Sequence, residues 1–184
     1  MTRETGLVPT CFQIAIRAGG WGRWLGLVSV RTVPSSVSVR TEFPIEARRA
    51  YELAQTRELF LYVTRGPMRF TGIPEDLRFE LGVKFSARMW FLSVIPAWRH
   101  HGDVTGFTDT PPRFEIQTNG PGGPVKTRNH TLTFEERGPD HCLYTDTIGI
   151  ESIPFTLPTR IFANRFFHYR QSRWRKLTKG ISDS

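Results

Sequence analysis

An α+β domain whose antiparallel sheet wraps around one long C-terminal helix is the fold class the sequence predicts. Three observations carry it. Two alternating runs, Pro124 to Glu136 and His141 to Glu151, read as strands joined by the turn Arg137-Gly-Pro-Asp140. An Ile-Pro and a Leu-Pro step then interrupt the chain, and a single aromatic and basic helical stretch closes it. A solitary helix after a hairpin has only the sheet against which to bury its stripe, and a curved surface leaves space beside a cylinder.

The elements follow in order. Residues 1 to about 35 hold neither period, and Gly19, Gly20, Gly22 and Gly26 oppose an ordinary helix. They are expected to form an extension of unknown structure ahead of a domain over 36–181. From Ser36, Val37, Val39 and Thr41 alternate with Ser38, Arg40 and Glu42, the period of a half-buried strand. Pro44 introduces a short helix over 46–55 with Ala47, Ala50, Tyr51 and Ala54 at helical spacing, and a second follows over 57–64. Gly66-Pro67 ends the pair.

A strand over 81–94 places Val83, Phe85, Ala87, Met89 and Phe91 on one face, opposite Lys84, Ser86 and Arg88. Pro96 is expected to break it, with 97–107 returning beside it and 113–119 alternating next. In the closing hairpin, Arg128, His130, Leu132 and Phe134 share one face of the first strand. Tyr144, Asp146, Ile148 and Ile150 share one face of the second. A regular hairpin sets Phe134 opposite Tyr144 and Leu132 opposite Asp146, with His130 diagonal to the carboxylate. The helix begins near Pro158, and its stripe of Ile161, Phe162, Arg165, Phe166, Tyr169, Arg173 and Leu177 is expected to face the sheet, with Gly180 as terminator.

At 184 residues the chain suits one ordinary domain plus an extension. Hydrophobic content of 39%, with 14 Phe and 5 Trp, is that of a globular chain whose aromatics can fill a core or line a cavity. The two cysteines, Cys11 and Cys142, form no framework and no metal motif. No apolar run is long enough to cross a bilayer, and the stretch from Cys11 to Val30 is broken by arginines and glycines, a poor signal core. The expected compartment is the cytoplasm. Net charge is +8, and seven basic residues with no acid lie between Glu151 and Asp183. That face suits an anionic membrane, with nucleic acid the less expected partner, or it is simply a solvated helix face.

From Val37 to Leu177 the chain resembles the START-like, helix-grip superfamily, in particular its small bacterial members related to coenzyme Q-binding and polyketide cyclase/dehydrase proteins. The resemblance is carried by Phe43-Pro44-Ile45-Glu46, Pro111-Pro112-Arg113-Phe114, Gly123-Pro124, His130 with Phe134, Asp146, and Phe166-Phe167-His168-Tyr169-Arg170. The chain departs from the pattern at Arg128, where an aromatic often stands, and at Leu132, which replaces a second histidine. The resemblance implies a helix-grip architecture: a curved seven-stranded antiparallel sheet around the C-terminal helix, two short helices at one end, and a pocket between sheet and helix.

The expected function is binding or carriage of a small hydrophobic molecule, of lipid, isoprenoid or quinone, or polyketide-like type. The expected lining is Phe85, Met89, Phe91, Trp98, Arg128, His130, Leu132, Tyr144, Asp146, Phe162, Phe166 and Tyr169. An alternative is a cyclase or dehydratase using His130 and Asp146, which otherwise satisfy one another in a partly polar interior. His100-His101 make no metal pair, because strand neighbours point to opposite faces. No Walker, Rossmann, GxSxG or HExxH pattern occurs, and no metal or cofactor is expected.

Overall fold

The structure, a computed structural model, describes residues 11–12, 30–31, 35–120, 125–152 and 156–182. The chain divides into two units, Met1–Pro34 and Ser35–Ser184. In the first, strands β1 (Cys11–Phe12) and β2 (Val30–Arg31) pair antiparallel.

In the second unit the order is β3 (Ser35–Phe43), α1 (Ala47–Ala54), α2 (Arg57–Thr64), β4 (Met68–Thr71), β5 (Lys84–Phe91), β6 (Ile95–Thr110), β7 (Arg113–Gly120), β8 (Val125–Gly138), β9 (His141–Ser152) and α3 (Thr156–Ser182). The seven strands form one antiparallel sheet in the order β3-β9-β8-β7-β6-β5-β4, curled around α3. Irregularities interrupt the β5/β6, β6/β7, β7/β8 and β8/β9 ladders, and each extra residue adds bend and twist to the sheet. The helix-grip reading of the sequence is the fold observed.

Local chemistry explains most boundaries. Thr56 caps α2, its hydroxyl accepting the Leu59 N–H at 3.3 Å, and Glu58 sits in the first turn where a helix N-terminus favours negative charge. Gly66, at φ +115°, makes the turn into β4, and a Cβ there would lie 2.7 Å from the Tyr169 hydroxyl.

Four expectations need correction. The strand β4 went unread, because four residues show too little alternation to be told from a turn. Pro96 does not break the sheet but lies inside β6. The β6–β7 ladder begins only at Asp103, so Pro96 sits where one side of the strand has no neighbour and its missing N–H leaves no gap. Gly180 does not end α3, which runs on to Ser182.

The fourth concerns the face that α3 turns to the sheet. Its buried residues are Ala163, Phe167, Gln171, Trp174 and Thr178, whereas Ile161 and Phe162 of the expected stripe are 50% and 40% exposed. The helix is rotated by about one residue, roughly 100°, from the face its apolar residues suggest. Gln171 anchors that rotation: its Nε2 donates to the Val39 carbonyl at 2.7 Å, and its Oε1 accepts from the Thr41 hydroxyl. A satisfied polar residue holds the contact face, which hydrophobic periodicity cannot register.

The main core gathers Phe43, Tyr51, Phe114, Phe134, Tyr144 and Trp174 between α1, the sheet and the C-terminal half of α3. A second cluster, Val37, Val39, Ile148, Ile150, Ala163 and Phe167, fastens the N-terminal half of α3 to β3 and β9. Between these two seams the sheet and the helix part.

Candidate functional site

The parting encloses a cavity of about 550 Å³. Its wall is largely aromatic and aliphatic: Leu59, Phe60 and Val63 from α2, Met68 and Phe70 from β4, Phe85, Met89 and Phe91 from β5, and Trp98 from β6. Ile116, Leu132, Ile148 and Ile150 complete the sheet side, and Phe162, Phe166, Phe167, Arg170 and Trp174 project from α3. The Phe85 ring crosses to Gly102, its partner on β6, where a Cβ would run into the ring. Glycine at this position makes room for the Phe85 ring on the cavity wall.

Of the expected lining residues, Phe85, Met89, Phe91, Trp98, His130, Leu132, Phe162 and Phe166 stand on this wall. Tyr144 and Asp146 lie behind it, almost fully buried. Tyr169 is turned aside, its hydroxyl donating to the Arg65 carbonyl at 2.7 Å. The Arg128 side chain lies outside the described residues, but its backbone register departs from the regular hairpin. Arg128 pairs with Gly149, while Leu132 pairs with Asp146 and Phe134 with Tyr144 as expected. One residue is therefore extra near Asn129, which adopts φ 49°, a left-handed conformation that asparagine tolerates.

His130 and Asp146 do meet. The His130 Nε2 and the Asp146 Oδ1 are 2.7 Å apart, the Tyr144 hydroxyl donates to Oδ2 at 3.0 Å, and the Arg170 Nη1 stands 3.5 Å from Oδ2. Burial alone would raise the Asp146 carboxyl. The charges of Arg170 and His130, with the hydrogen bonds from His130 and Tyr144, outweigh it and hold the group below its usual value. A carboxylate can only accept, so Nε2 carries the proton in that bond. The other imidazole nitrogen, Nδ1, is 3.1 Å from the hydroxyl of Thr118, which also lines the cavity. Both ring nitrogens are thus engaged by the protein itself. Burial, and then the Asp146 charge, push the Tyr144 hydroxyl far above its usual value, so it remains a donor.

Thr118, His100 and Arg170 are among the lining residues that sequence reasoning missed, as are Leu59, Ile116, Phe167 and Trp174. Thr118 is the cross-strand partner of His130, a relation readable only once β7 and β8 are in register. Arg170 follows Phe166 and Phe167 by one helical turn, the one sequence signal that placed it with them.

Burial, with the charges of His130 and His101 beside it, pushes the His100 imidazole down to about 4. The unfolded chain takes up this proton below about pH 6.5 and the folded chain only near 4, so stability is full above 6.5 and falls as pH drops between the two values. The expected loss is on the order of 3 kcal/mol. Urea midpoints of the wild type and a His100→Phe variant, followed from pH 7.5 to 4, should diverge progressively; parallel curves would contradict this account.

Known proteins enter here. No protein-family model matches the chain, and no curated protein matches it by sequence. Solved structures do match. Norcoclaurine synthase from Thalictrum flavum, a point mutant in complex with a transition-state analogue, superposes with a TM-score of 0.59 at 12% identity, covering 82% of this chain and 98% of that one. A START superfamily protein from Mycobacterium smegmatis gives 0.55 at 13%, covering 79% and 98%. An AHSA1-like protein from Aeromonas hydrophila gives 0.52 at 13%, covering 80% and 94%. At such identities the likeness defines the fold alone: the chain carries the START-like helix-grip architecture.

Proposed function

We propose that this protein binds and carries a small hydrophobic molecule in the cavity between its sheet and α3. The observation that carries the reading is the 550 Å³ space itself, which lies within the range of small-molecule pockets and is walled chiefly by apolar side chains. A core packed to ordinary density leaves no such volume. The free, buried Cys142 suits a reducing compartment such as the cytoplasm. Catalysis by His130 and Asp146 is the weaker reading, because both imidazole nitrogens are already hydrogen-bonded within the protein.

The reading is tested with a fluorescent apolar probe and with mass spectrometry of organic extracts of the purified protein. Ala163, buried on α3 and lining the cavity, is the place to obstruct it. An Ala163→Trp variant should lose at least tenfold in probe affinity while its far-ultraviolet dichroism stays unchanged. A wild type that binds no apolar probe would refute the proposal.

A membrane-visiting step accompanies this reading, favoured by one observation. Leu92, Val94 and Ile95 at the β5–β6 turn, and Leu157, Ile161 and Phe162 on the first turns of α3, are large apolar residues left exposed. The Phe91 and Phe162 rings, 5.7 Å apart, bring the two groups to one end of the cavity, and the exposed Arg160 and Arg165 stand among them. Apolar tips with basic neighbours suit an anionic bilayer. Sedimentation with phosphatidylglycerol vesicles should retain the wild type and lose most of a Leu92→Asp/Ile161→Asp double variant. Equal retention of both proteins would exclude this surface.

A further inference from the structure

We infer that the molecule held in the cavity is an apolar monocarboxylic acid whose head group pairs with Arg170. The inference rests on the carrier reading above and adds the chemical class of the cargo.

Arg170 stands on the cavity wall with its side chain only 12% exposed, a cation in a largely hydrocarbon space. A guanidinium offers five N–H donors in a planar fork. Among the described residues none of the five makes a hydrogen bond: Nη1 lies 3.5 Å from Asp146 Oδ2, an ion-pair distance, and Nε is buried without a partner. Asp146 balances the charge at ion-pair distance, while its two oxygens accept the closer donors of His130 and Tyr144 and leave the guanidinium's N–H groups without hydrogen bonds. The guanidinium lies over the Phe167 ring at 5.2 Å and the Phe166 ring at 5.9 Å, contacts that use none of its N–H groups as hydrogen-bond donors to oxygen.

Two more buried donors in the wall lack partners, the indole N–H groups of Trp98 and Trp174. Among the described residues, every buried and unpartnered side-chain nitrogen or oxygen that belongs to the lining is therefore a donor. Such a wall selects a ligand that brings acceptors. A planar guanidinium beside it selects a carboxylate over a neutral oxygen, since two parallel charge-assisted bonds form at once. The aromatic remainder of the cavity takes the hydrocarbon tail.

Dodecanoic acid, dodecanol and methyl dodecanoate share a tail and differ in the head. Calorimetric titration of the wild-type protein should give at least tenfold tighter binding of the acid than of either neutral analogue. An Arg170→Gln variant should reduce that preference to less than about threefold, and Arg170→Lys should retain much of it. Equal binding of acid and alcohol by the wild type, a measurement that needs no variant, would overturn the head-group inference and leave the carrier reading standing. A preference that survives in Arg170→Gln would overturn it as well. Failure of all three compounds to bind would overturn both.

Discussion

Replacement of Asp146 by alanine is expected to remove about 3–5 kcal/mol of stability, the cost typical of breaking a buried charged pair by deleting one partner. The side chain is fully buried and holds three others: the His130 imidazole, the Tyr144 hydroxyl and the Arg170 guanidinium. Alanine leaves the Arg170 cation unopposed and two donors without their acceptor. Ordinary domains hold roughly 5–15 kcal/mol in total, so the variant sits near the edge of folding. Asp146→Asn, which keeps the volume and one acceptor oxygen, should lose distinctly less. Urea denaturation with linear extrapolation reads both values. An alanine variant within about 1 kcal/mol of the wild type would show that the network does not hold the fold.

Removal of the Trp174 indole has a comparable effect for a different reason. This residue, 3% exposed, joins α3 to the sheet, with ring centroids 4.6 Å from Tyr144, 5.1 Å from Phe43 and 5.7 Å from Phe134. Trp174→Ala should cost about 3–5 kcal/mol, with loss of both burial and ring contacts. Because Trp174 also lines the cavity, the space left behind joins the ligand site. The variant should therefore unfold at lower urea yet accept bulkier apolar probes than the wild type. Ile161→Ala, at a half-exposed position on the same helix, serves as the control and should change stability by less than about 0.5 kcal/mol. Equal losses in the two variants would contradict the position assigned to Trp174.

The fold itself predicts how far such effects spread. The sheet's bulges give it its curl, and two seams, one around Trp174 and Tyr144 and one around Phe167 and Ile148, clamp α3 at separate places. The ligand wall draws on both seams, through Leu132 and Trp174 of one and Ile148, Ala163 and Phe167 of the other. Substitution of Phe162, which lines the cavity and is 40% exposed, bears on binding more than on folding.

What the chain determined by itself is whatever depends on neighbours in sequence. The β8–β9 hairpin, the strand from Val37, the two short helices and the long terminal helix all follow from alternation, helical spacing and turn residues. The pairing of Leu132 with Asp146 followed from counting out from the turn, and so did the meeting of His130 with the carboxylate. What only the tertiary structure decided depends on groups distant in sequence. The extra residue near Asn129 shifted the register so that Arg128 pairs with Gly149, and Gln171, bound to β3, rotated α3 so that Ala163, Phe167 and Trp174 meet the sheet. That rotation places Arg170 on the cavity wall. Hydrophobic periodicity reports the average apolar face of a helix, and a satisfied buried glutamine or an unsatisfied buried arginine contributes nothing to that average. Their roles arise only when β3 and β9 approach from elsewhere in the chain and supply, or withhold, a hydrogen-bond partner.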